Sequence, residues 1–218
     1  MLLPMTSRFL IGAFLALGIP GACAFGDDIS RDLTQLDAGE VRFDLQARDE
    51  QPIQEPPVFG LQGETRLTIG TGIAIEFEDD DDSTDFNLNI AWSRFLVDDW
   101  EFRLELGGWY FDQNPDATWG VNPNMIIRWH FINEDPWTVY TDVGLGLLFA
   151  ADDVPSGGSS VNFMPRVGIG VTHRINLNGD RLEIGLRWHH VSNARLVGDA
   201  RNPDRDGLML YAGFSFPL

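Results

Sequence analysis

From residue 63 to residue 216, apolar side chains recur at every second position. That is the period of a β-strand whose two faces meet different surroundings. Eight such segments follow one another: 63–78, 85–97, 100–111, 121–132, 137–150, 161–175, 181–193 and 207–216. The first sets Leu67, Ile69, Ile73, Ile75 and Phe77 against Arg66, Thr68, Gly70, Ala74 and Glu76. The third sets Trp100, Phe102, Leu104 and Leu106 against Glu101, Arg103 and Glu105. In the second, the phase becomes uncertain at Arg94, which predicts a bulge there. Short polar turns at 97–99, 133–136 and 176–180 alternate with mostly longer connections at 78–84, 112–120, 151–160 and 194–206. An even number of strands, joined alternately by short turns and longer loops, predicts an all-β, up-and-down antiparallel barrel of eight strands.

The polar face decides which way round such a barrel is built. It carries charges of both signs: Arg66, Glu76, Glu101, Arg103, Glu105, Arg128, Asp142, Arg166, Glu183 and Arg187. Charges enclosed in a narrow lumen must pair, and these are balanced for it. Gly144, Gly146, Gly168, Gly170 and Gly185 leave room inside so small a tube. Trp92, Trp100, Trp129, Trp137 and Trp188 lie toward strand ends, where interface aromatics belong. The apolar face is therefore expected to meet lipid, as in a transmembrane barrel. The alternative is a lipocalin-like soluble barrel with the faces reversed. Heat-modifiable gel mobility, together with extraction only by detergent, separates the two.

The rest of the chain fits export. Arg8, an apolar run at 9–19 too short to span a bilayer, and Ala22-Cys23-Ala24 read as a signal peptide over 1–24. Acylation of Cys23 is the alternative; cleavage after Ala24 removes the chain's one cysteine and with it any disulfide or thiol chemistry. Residues 25–60 read as a polar, acidic periplasmic leader, with a short amphipathic helix possible over 29–45; residues 61–218 form the barrel domain. The chain has no lysine and a net charge of −18. That argues against a nucleic-acid partner, because phosphate binding needs a basic face. No His/Cys/carboxylate set shows metal-ligand spacing and no glycine-rich phosphate loop is present, so neither metal nor cofactor is expected.

The seventh segment carries the chemistry. One face reads Leu182, Ile184, Leu186, Trp188, His190, Ser192. With a periplasmic N-terminus, odd strands run outward, so this lipid-facing row ends in His190 and Ser192 at the height of the outer-leaflet headgroups. An imidazole can take the proton of a hydroxyl and make it a nucleophile. Equally, His and Ser are ordinary residues at a membrane interface, and pairs at this spacing arise by chance. His130 and His189 face the lumen by parity, and His173 lies near the periplasmic end.

The run His190-Val191-Ser192-Asn193, on the seventh of eight strands, resembles the His-x-Ser-Asn motif of the lipid A 3-O-deacylase family of Gram-negative outer membranes. In architecture the resemblance spans about 63–216; it is specific over 188–207. It implies a metal-free serine esterase of the cell outer membrane. Its substrate would be lipid A of lipopolysaccharide in the outer leaflet, losing its 3-O-linked chain as a 3-hydroxy fatty acid. By match to the motif, Ser192 is the nucleophile, His190 the general base and Asn193 an oxyanion donor. Some family members place a Glu early in the last strand to orient the histidine. Here Gly207-Leu208-Met209-Leu210 has no carboxylate, and the nearest acids are Asp199, Asp204 and Asp206. Asp206, nearest the strand, is the expected orienting acid. The missing Glu keeps a second reading open, a non-catalytic structural or adhesive barrel.

Overall fold

The computed structural model describes residues 55–77, 83–198 and 201–218. The expected signal peptide, Cys23, the helix at 29–45, most of the leader and Asp199 lie outside the described residues. The strands are β1 (Thr65–Glu76), β2 (Thr84–Val97), β3 (Trp100–Phe111), β4 (Thr118–Glu134), β5 (Trp137–Val154), β6 (Ser159–Arg174), β7 (Arg181–Val191) and β8 (Arg205–Pro217). Each pairs antiparallel with its sequence neighbours, and β8 returns to β1 to close the barrel. Closure leaves no unpaired edge, the condition for strands to stand in lipid.

The faces fall as the alternation predicts. Ile69, Leu88, Leu106, Met125, Val167 and Leu210 all point outward and are about half or more exposed. Arg103, Arg128, Arg166, Glu101, Asp142 and Glu183 are buried inside. A soluble barrel would show the reverse. Within the lumen, Arg128 meets Asp142 at 3.0 Å and Glu183 at 3.1 Å, Arg103 meets Glu183 at 3.0 Å, and Arg187 meets Asp142 at 3.1 Å. Arg166 pairs with Glu105 at 2.5 Å. Guanidinium groups of Arg128 and Arg187 also cover the rings of Tyr140 and Tyr211, whose hydroxyls meet at 2.7 Å. Gly170 and Gly185 make this tyrosine pair possible, since a Cβ at either would stand 2.5 Å from a tyrosine hydroxyl oxygen.

Several boundaries differ from the sequence expectation. The connection expected at 151–160 shrinks to residues 155–158, because β5 continues to Val154, which is buried and pairs with Ser159. Two consecutive aspartates, Asp152 and Asp153, disguise this end of the strand as loop. β4 likewise runs on through Asn133 and Glu134. The register shift in β2 lies between Phe95 and Val97, just past Arg94. β7 ends at Val191 rather than 193, and β8 starts at Arg205 rather than 207.

The lumen is not polar throughout. At the end carrying the longer loops, Trp109, Phe111, Leu148, Met164, Val191 and Met209 form a buried apolar cluster. At the opposite mouth, Phe59 stands edge-on to Phe95 and His130, with Arg181 4.1 Å from its ring centroid. The central charge pairs thus lie between these two groups, and the wall beside the longer loops is braced from within.

Candidate active site

The last residues of β7 keep strict alternation. Val191 turns inward to the apolar cluster, so His190 and Ser192 turn outward together. Across from His190 on β6, Pro165 has no backbone N–H to give. The ladder resumes two positions further on, where Phe163 and Ser192 exchange N–H to carbonyl bonds of 2.8 and 3.1 Å. Ser192 is therefore fixed to the wall although the strand has formally ended.

After Ser192 the chain turns sharply. Ala194 and Arg195 both hold left-handed φ values, 52° and 63°, which cost non-glycine residues about 1–2 kcal/mol each. The side-chain oxygen of Asn202 accepts the N–H groups of Asn193 and Arg195, both at 3.1 Å. The Asn193 side-chain amide donates to the Arg201 carbonyl at 2.5 Å. The backbone N–H and the side-chain amide of Asn193 are thus each bonded within the loop.

On the other side, β8 pairs with β7 so that Asp206 lies directly across from His190. Asp206 is a strand residue, and not the loop residue that the sequence boundary implied. Its inward-facing neighbour Arg205 is buried and bonds both carboxylate oxygens of Asp85, at 2.7 and 3.1 Å, with Glu76 at 3.3 Å. Outward, the His190 Nδ1–H donates to Asp206 Oδ1 at 3.1 Å, and the Ser192 hydroxyl donates to His190 Nε2 at 2.8 Å. A carboxylate can only accept, so the proton belongs on Nδ1 and Nε2 is free to accept from the hydroxyl. His190 and Asp206 are each 21 % exposed and Ser192 only 9 %. A hydroxyl, a base and an orienting acid in this order can carry out acyl transfer.

The structure brings together Ser192, His190 and Asp206 and sets Asn193 beside them, facing the loop. Two further contributors had no sequence signal that parity alone could expose. Arg205 anchors the start of β8, and the Trp188 indole N–H donates to Asp206 Oδ1 at 2.9 Å. His189 is buried on the lumen side against Trp109 and Glu76. Among the described residues, two groups of three ligating side chains are close enough together to hold a metal. In Glu76, Asp85 and His189, the guanidinium of Arg205 already bonds both Asp85 oxygens. In His190, Asp204 and Asp206, both imidazole nitrogens are already hydrogen-bonded.

Residues 83–215 match the protein-family model described as lipid A 3-O-deacylase (PagL). The chain belongs to this family. The match runs from the start of β2 almost to the end of β8 and includes all four residues singled out above. No curated protein matches the sequence. Among solved structures, Neisserial surface protein A is similar with a TM-score of 0.55 and 16% identity, over 70% of this chain and 96% of its own. The outer membrane enzyme PagL is similar with a TM-score of 0.52 and 18% identity, over 70% of this chain and 99% of its own. At such identities these likenesses speak to the fold, that of a small outer-membrane barrel.

Proposed function

We propose that this member of the deacylase family is an active serine esterase that removes the 3-O-linked acyl chain of lipid A. The hydrogen-bonded Ser192–His190–Asp206 set on the lipid-facing wall carries the reading, because Neisserial surface protein A has the same fold. We place the end bearing the longer loops at the cell surface, which sets Ser192 level with the acyl esters of the outer leaflet.

Ser192 Oγ attacks the ester carbonyl carbon as its proton passes to His190 Nε2. Asp206 holds the resulting imidazolium in place. Negative charge builds on the former carbonyl oxygen, where Asn193 is the assigned donor; its amide leaves the Arg201 carbonyl to reach it. The intermediate collapses, and the sugar hydroxyl departs with the proton from His190. Water then adds to the acyl-serine, giving its proton to His190. Collapse returns that proton to Ser192 and releases a 3-hydroxy fatty acid. Every proton moves along hydrogen bonds centred on one imidazole.

A fluorophosphonate probe tests the nucleophile without requiring the lipid substrate. The detergent-solubilised protein should be labelled at Ser192, and His190→Ala should abolish the labelling. Equal labelling of wild type and Ser192→Ala, or none at all, speaks for a passive barrel.

A further inference from the structure

We propose that Trp188 is a positioning residue, which sets the carboxylate of Asp206 against His190. The inference rests on the esterase reading for its kinetic consequence, but not for its structural one.

An aspartate side chain is one methylene shorter than a glutamate, and Asp206 stands at the first turn-in of β8, beside a long loop. Its cross-strand position puts it near His190 but does not by itself choose its rotamer. Trp188 supplies that choice. Two residues before His190 on the same face, its indole lies over the imidazole with ring centroids 5.9 Å apart and planes 26° from parallel. From there its Nε1–H reaches Asp206 Oδ1 at 2.9 Å, the same oxygen that accepts the His190 Nδ1–H at 3.1 Å. Two donors converge on one oxygen, which fixes both the carboxylate and the plane of the imidazole. The Trp188 indole N–H thus finds its acceptor within the protein. The backbone of Asp206 is pinned from the other side by the Phe77 N–H, which donates to its carbonyl at 2.9 Å. Other charged groups near the imidazole do not duplicate the contact. Asp204 offers a carboxylate oxygen within 4.8 Å, β6 presents the uncharged Pro165, and His189 faces the lumen.

Trp188→Phe keeps a ring against His190 and lipid while deleting the N–H. Two measurements on the full-length protein in detergent test the proposal. The first is the far-downfield proton resonance of the His190 Nδ1–H, assigned by its loss in His190→Gln. It should move upfield or broaden in Trp188→Phe, with heat-modifiable mobility retained. Reciprocally, Asp206→Asn should move the Trp188 indole proton upfield. An unchanged resonance in either variant overturns the proposal, whether or not the protein turns over lipid A.

The second measurement is fatty-acid release from lipopolysaccharide. Trp188→Phe should lower kcat about tenfold, the scale of a hydrogen bond to a charged group, with KM within about twofold. Added to Asp206→Ala, the same change should cost nothing more, because the indole acts through that carboxylate. Additive losses, or an effect on KM alone, overturn it in favour of simple lipid contact. A wild type that releases no fatty acid refutes the esterase reading instead, and the resonance still decides this one.

Discussion

An imidazole between a hydroxyl and a carboxylate has one productive tautomer, and the distances around His190 select it. The proton on Nδ1 faces Asp206 and the lone pair on Nε2 faces Ser192. Asp206→Asn preserves size but offers an amide where an acceptor is needed, favouring the wrong tautomer. Its kcat should fall roughly 10²- to 10⁴-fold with KM little changed, measured as fatty-acid release. Parity along β7 was enough to separate outward-facing His190 from lumen-facing His189. The closeness of Asp206 was less legible. It depends on the register between β7 and β8, which is fixed across a loop and by where β8 begins. The Trp188 contact had no sequence signal, since an interface tryptophan reads the same whether or not its N–H has a protein acceptor.

At the scale of elements, the site depends on how β8 starts. Arg205 and Asp206 are consecutive charges, and in sequence both read as loop. In the barrel one turns inward to Asp85 and Glu76 while the other turns outward to His190. Arg205→Met leaves two buried carboxylates without their cation. It should destabilise the barrel by about 3–5 kcal/mol, read as a lower temperature for the heat-modifiable gel shift. Unaltered stability would mean that the buried pair does not anchor the strand. Strand number and faces were legible because lipid and a charged lumen demand opposite chemistry at alternate positions. Strand ends were not, because near water both faces turn polar, as Asp152 and Asp153 show in β5.

The described residues form an inside-out barrel, with paired charges in the lumen, apolar side chains packed among them toward both ends and an apolar wall outside. Its four mid-lumen arginines, Arg103, Arg128, Arg166 and Arg187, lie among Glu101, Glu105, Asp142 and Glu183. Leu210, outward on β8 and 58% exposed, faces the bilayer. Leu210→Arg should cost about 2–4 kcal/mol if that wall stands at mid-membrane, measured by unfolding in lipid vesicles. A soluble barrel would accept the change at no cost. On the proposed reading, this inside-out architecture sets the reacting groups on the lipid-facing wall and not in the lumen. The proposed nucleophile, Ser192, lies on the outer wall, where a molecule already in the membrane would present its ester.

The most direct test is therefore the lipid A of Gram-negative cells expressing this protein. Mass spectrometry should show a species lighter by one 3-hydroxyacyl chain with wild type, absent with Ser192→Ala at equal outer-membrane abundance. Identical lipid A from the two would contradict the account.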